Sequence, residues 1–175
     1  MKATLIGQFV QTAMLVALGA GCTVGEMPHA TASLESRSMS TVTGTADFNT
    51  AGTKVTLTLK VTGASPGTHG VHLHAIGDCT APDAMSAQGH WNPDMMAHGL
   101  PVASPHHLGD CGNVEIGADG TGTLTITNDW TIGTKAVNDI VGKAIIVHAA
   151  TDDGVTQMPP GNAGARQACG VVDLK

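Results

Sequence analysis

The clearest pattern in the chain is the strict alternation of Lys54-Val55-Thr56-Leu57-Thr58-Leu59-Lys60-Val61. Successive side chains of a strand point to opposite faces, so this segment predicts a strand with one buried and one wet face. Gly63-Ala64-Ser65-Pro66-Gly67 supplies a turn, after which Gly70-Val71-His72-Leu73-His74-Ala75 resumes the alternation with histidines at the polar places. Ala118-Asp119-Gly120 marks a second turn before Thr121-Gly122-Thr123-Leu124-Thr125-Ile126, which reads as a hairpin arm. Gly142-Lys143-Ala144-Ile145-Ile146-Val147-His148 and Cys169-Gly170-Val171-Val172 are β-branched and apolar. No helical period of useful length and no internal repeat occurs from Ser40 onward. Short strands with glycine-rich punctuation predict an all-β antiparallel sandwich or barrel.

A chain of 175 residues suits one domain. With two Phe, two Trp and no Tyr, its core must be built from Val, Ile, Leu, Ala and Met. A net charge of -6 and the lack of any Lys/Arg cluster argue against a nucleic-acid partner. Residues 1–22 read as an export signal: Lys2, an apolar stretch from Ala13 to Leu18, then Gly19, Ala20 and Gly21 before Cys22. Gln8, Gln11 and Thr12 interrupt the stretch, which argues against a membrane-spanning helix. The small residues before Cys22 also resemble a bacterial lipoprotein cleavage site, although Leu18 lies one place further from the cysteine than that pattern prefers. Lipidation of Cys22 and simple secretion both stay open. Residues 23–40 hold no periodic pattern and read as a flexible tether in which His29 is an exposed histidine without a role. The domain is then residues 41–175.

Two histidine groups carry the chemistry. His72 and His74 lie two apart on a strand and present two imidazoles to one ion, and a neighbouring strand ending at His148 could add a third. His90, His98, His107 and Asp110 lie in a stretch full of Gly and Pro, and three nitrogens with one carboxylate suit a tetrahedral, structural zinc. His106 competes with His107 for that role. A histidine-only group favours copper in the usual divalent order. Asp152 is a candidate to hold the free nitrogens of ligand histidines, and equally a turn residue of Asp152-Asp153-Gly154.

Four ordered segments resemble the copper-zinc superoxide dismutases of the exported bacterial type: Gly70-Val71-His72-Leu73-His74 with Gly77-Asp78-Cys79; Gly89-His90-Trp91-Asn92-Pro93; His98-Gly99 through His107-Leu108-Gly109-Asp110-Cys111-Gly112-Asn113; and Val147-His148 followed by Gly161-Asn162-Ala163-Gly164-Ala165-Arg166-Gln167-Ala168-Cys169-Gly170. The resemblance implies a Greek-key β-barrel or sandwich with long metal-binding loops. It implies copper on His72, His74, His90 and His148, and zinc on His90, His98, His107 and Asp110, with His90 bridging. By the same resemblance Asp152 links the two sites, Arg166 stands beside the copper, and Cys79 pairs with Cys169. The implied reaction is disproportionation of superoxide to dioxygen and hydrogen peroxide, with Arg166 attracting the anion and His90 carrying a proton.

The implied location is the periplasm or cell envelope, with membrane attachment through a lipidated Cys22 and a homodimer both compatible. Two features depart from the family. The loop from Asp152 to Asn162 is short, carries Met158-Pro159-Pro160 and lacks the extra charges with which longer versions steer substrate. Cys111 stands where an aliphatic residue is usual, and reads either as a small buried hydrophobe or as a competitor of Cys169 for Cys79.

Overall fold

The computed structural model describes residues 27–175. They form nine strands: β1 His29–Ser36, β2 Thr43–Ala51, β3 Lys54–Thr62, β4 Gly67–His74, β5 Asp110–Ile116, β6 Thr121–Asn128, β7 Ala144–His148, β8 Arg166–Val171 and β9 Asp173–Leu174. All named pairings are antiparallel, in the order β2-β3-β6-β5-β4-β7-β8-β1, and β1 also pairs with β2. The result is a nearly closed eight-stranded Greek-key barrel, with β9 added beside β1.

Alternation accounts for the core. Val55, Leu57, Leu59 and Val61 of β3 are all buried and meet Phe48 of β2, Val71 and Leu73 of β4, and Ile145 and Val147 of β7. Trp130 packs edge-on against Phe48 with ring centroids 6.1 Å apart. Its indole N–H donates to the Leu108 carbonyl at 2.8 Å, so the ring is buried without leaving a donor unpaired. A smaller cluster of Ala84, Ala87, Ala144, Ile146 and Cys169 lies outside the barrel wall, under the loop that the Cys79–Cys169 disulfide ties down.

The tether expectation is corrected for residues 29–36. They form β1, whose Ala30, Ala32 and Leu34 are 0–3% exposed and whose backbone pairs with β2 from His29↔Asn49 to Leu34↔Gly44. Two of the three inward residues are alanines, too small to stand out as a hydrophobic alternation, yet small side chains are what this part of the barrel accommodates. Residues 1–26, with the export signal and Cys22, lie outside the described residues. β5 was hidden for another reason: it opens with Asp110, whose charge reads as loop until its partners are seen.

The polar places of β4 are not wet. His72 and His74 point away from the barrel interior yet are 0% and 1% exposed, because the segments after β4 and after β7 fold over them. One such segment is fastened to the β7–β8 hairpin by the disulfide. Cys169→Ser therefore lowers stability by about 2–5 kcal/mol, read as a fall in the denaturant midpoint under non-reducing conditions. An unchanged midpoint would show that the packing of Ala84 and Ala87 holds the segment without the bond.

Candidate metal centre

β4 contributes His72 and His74, its neighbour β7 ends at His148, and an isolated bridge between His74 and His90 brings the fourth ring alongside. One ring nitrogen from each of these four lies within 4.8 Å of the others. Their outward contacts decide which nitrogen carries the proton. His72 Nε2 donates to Asp152 Oδ2 at 2.7 Å, His74 Nδ1 to the Gln88 carbonyl at 2.8 Å, and His148 Nδ1 to the Gly164 carbonyl at 3.2 Å. Each acceptor has only lone pairs to offer, so each ring must be the donor. His72 Nδ1, His74 Nε2 and His148 Nε2 are thereby left as bare, buried lone pairs without a hydrogen-bond partner. An unpaired buried polar atom costs about 1–3 kcal/mol, and three of them in one cluster suit a cation.

Burial keeps these rings in the neutral form that ligates. It holds His72 down at about 4 against the opposing bond from Asp152. It pushes His74 and His148 well below the ordinary histidine value, helped by the neighbouring rings and by Arg166.

A second group joins His90, His98 and His107 to Asp110, again with one ligand atom each within 4.8 Å of the others. His98 donates from Nε2 to Asp152 Oδ1 at 2.9 Å, and its Nδ1 lies 3.0 Å from Asp110 Oδ2. In the metal-free protein a proton on Nδ1 joins these two atoms, and a cation ligated by both would take its place. Asp110 Oδ1 also lies 2.9 Å from His90 Nδ1 and 3.3 Å from His107 Nδ1, while Oδ2 accepts the His107 backbone N–H at 2.7 Å. Burial works against the Asp110 charge, but these ring and backbone N–H groups outweigh it and hold the carboxyl far below its usual range. His98 is also shifted: burial opposes its protonation, yet Asp110 and Asp152 together raise it to about 9. The pattern of two carboxylates among rings draws positive charge to this point.

His107, the residue to which the resemblance points, lies in the group, whereas His106, its competitor on spacing alone, turns its Nδ1 to the His107 carbonyl at 2.8 Å and stays out of it. Asp152, 2% exposed, joins the two groups through His72 and His98 and also accepts the Gly154 N–H at 2.7 Å. Asn113, which ends one of the motif segments but carries no role there, pairs with both backbone groups of Asp152, accepting its N–H at 2.8 Å and donating to its carbonyl at 3.0 Å. Gly161 has φ +68, and an added Cβ would strike the Asp152 carboxylate and lie 2.9 Å from His98 Nε2.

His74, His90 and His148 form the floor of a cleft of about 210 Å³ whose rim includes Met85, Pro159, Pro160 and Arg166. The Arg166 guanidinium donates to the Ala84 carbonyl at 2.8 Å and to the Gln88 carbonyl at 2.7 Å, both in the segment held by the disulfide. A larger hollow of about 500 Å³ between Asp94, His106 and Val137 contains none of the ligand atoms. Cys111 is free and buried, with burial pushing its thiol far up, and the disulfide joins Cys79 to Cys169.

Residues 42–172 match the family model described as copper/zinc superoxide dismutase. The chain is similar to Superoxide dismutase [Cu-Zn] 2 of Brassica juncea, at 45% identity over 127 residues, which is 70% of this chain and 82% of that protein. It is also similar to the crystal structure of the clock protein EA4, with a TM-score of 0.74 and 31% identity over 84% of this chain and 94% of that one.

Two outcomes follow for the metal-free protein and for the carboxylate link. A histidine depressed in the folded state, as His72 is, makes stability rise with pH from about 4 to 6.5, because the unfolded chain binds more protons there. His98, raised to about 9, contributes stability that is complete below 6.5 and lost as pH climbs through 9. Thermal melts of the chelated protein should peak near pH 6.5, and a melting temperature still rising at pH 9 would contradict the His98 assignment. Gly161→Ala, by displacing Asp152, weakens metal binding about 10–100-fold in a calorimetric titration. Wild-type affinity in that variant would show that Asp152 is free to move.

Proposed function

The chain belongs to the copper/zinc superoxide dismutase family, and from that premise we propose which residues hold each metal of this copper- and zinc-dependent enzyme and what each does. The copper set is His72, His74, His90 and His148, and the zinc set is His90, His98, His107 and Asp110. An all-imidazole group suits copper, and a group of three imidazoles and a carboxylate suits a closed, tetrahedral zinc. His90 belongs to both: its Nδ1 faces Asp110 and His107, which leaves Nε2 for the group on β4 and β7.

Copper, when bound, supplies alternate reduction and oxidation, so that one superoxide gives up an electron and leaves as dioxygen while a second gains it and leaves, with two protons, as hydrogen peroxide. The protein's share is placement, attraction and proton supply. Asp152, Gln88 and Gly164 fix the ring protons of His72, His74 and His148 on the outward side, so no ring need reorganise to ligate. Arg166, locked by two carbonyls at the rim, holds a positive charge where a small anion must enter, which matters in a protein of net charge -6. The short loop at residues 152–162 contains no Lys or Arg to share that task. His90 Nε2 is the atom that takes up a proton and passes it to the departing peroxide, with Asp110 keeping the ring aimed from the other side.

The observation that carries this reading is the convergence of three bare nitrogens beneath a cleft that Arg166 borders. Export fits it, since the Cys79–Cys169 disulfide persists in an oxidising compartment. Attachment through Cys22 and pairing into a homodimer complete the proposal, to be read by lipid mass on the mature protein and by light scattering.

Two substitutions test the roles separately. His148→Ala should abolish copper-dependent superoxide decay while zinc content stays at the wild-type level. Arg166→Ala should keep both metals and lose about tenfold or more in kcat/KM, with a flatter dependence on ionic strength. A full rate in Arg166→Ala would remove the arginine from the mechanism.

A further inference from the structure

The loop at residues 153–162 holds a residue that none of the roles above uses. Gln157 Oε1 accepts the backbone N–H of His98 at 2.8 Å, and its Nε2 donates to the His98 carbonyl at 3.1 Å and to the Val155 carbonyl at 2.9 Å. Its carboxamide thus pairs with one residue as a strand would, and that residue carries the ring shared between Asp110 and Asp152. Both backbone polar groups of His98 have Gln157 as partner. Water could satisfy the same two groups, so what the side chain adds is attachment of its loop.

The loop is compact enough to transmit that attachment. Gly161 N–H donates to the Thr156 carbonyl at 2.8 Å, Asp153 N–H to the Gly161 carbonyl at 3.0 Å, and Asn162 N–H to the Pro159 carbonyl at 3.1 Å. Asp153 accepts the Val155 and Thr156 N–H groups at 2.9 and 2.8 Å. At one end the loop presses Gly161 onto the Asp152 to His98 contact, and at the other it offers Pro159 and Pro160 as a wall of the cleft. Lifting it would unpair His98, uncover Asp152 and move the cleft wall together.

We infer that Gln157 is a positioning residue for His98, a latch that keeps this loop closed and thereby slows release of the zinc; this rests on the zinc assignment above. The experiment loads the full-length protein with both metals and follows zinc transfer to a chromogenic chelator. Gln157→Ala is compared with wild type and with Val55→Ala, a barrel-core change that lowers the melting temperature without touching the loop. Gln157→Ala should release zinc about tenfold faster or more, with faster exchange of the His98 amide hydrogen, while Val55→Ala releases it at the wild-type rate. Release from Gln157→Ala at the wild-type rate would overturn the latch, and so would equal acceleration in Val55→Ala, which would make the effect general destabilisation. Asp110→Ala marks the other failure: if it binds as much zinc as wild type, the metal assignment falls and takes the latch with it.

Discussion

The carboxylate of Asp152 is the contact on which the centre depends. One oxygen accepts the ring N–H of His72 and the other accepts that of His98, so a single buried group dictates which nitrogen of a ring in each of the two groups is turned toward its neighbours. Were either ring to flip its tautomer, it would present N–H where a lone pair is needed and lose its anchor as well. The charge itself is retained because both rings and the Gly154 N–H bind it, holding its carboxyl low despite burial. Asn113 on β5 fixes the backbone of Asp152, so the barrel wall sets the position of the carboxylate and the carboxylate sets the rings.

The other fixings are backbone carbonyls delivered by two segments outside the barrel. Gln88 serves His74 and Arg166 at once, and Ala84 serves Arg166. Their segment is held at one end by the Cys79–Cys169 bond and beneath by Ala84 and Ala87 packed on Ile146. Gly70 on β4 lets the second segment approach, since an added Cβ would come within 2.9 Å of the Ala163 Cβ. The barrel thus acts as a rigid wall, and the active groups lie between that wall and two fastened covers.

Where a residue announces itself by polarity and spacing, the sequence was readable. The alternation of Lys54 to Val61 became β3 with one face in the core, and His72, His74, His90, His98, His107 and His148 fall in two groups that could hold a metal ion. Other parts were silent for physical reasons. β1 carries its inward face on Ala30, Ala32 and Leu34, a pattern too weakly apolar to register. The carbonyls of Ala84, Gln88 and Gly164 are backbone groups, which any residue type would supply. Asn113 and Gln157 are ordinary amides whose role arises only when distant segments meet. Spacing alone leaves His106 beside His107, and only the resemblance favours His107; the physical difference is which way the two adjacent rings face.

Anomalous diffraction from crystals of the metal-loaded protein, collected on either side of the copper and zinc absorption edges, addresses the central claim most directly. The account predicts a copper peak among His72, His74 and His148, a separate zinc peak beside Asp110, and the oxidised protein's His90 ring reaching both with opposite nitrogens. A single metal peak, exchange of the two metals between the groups, or a His90 ring bound to one ion alone would contradict it.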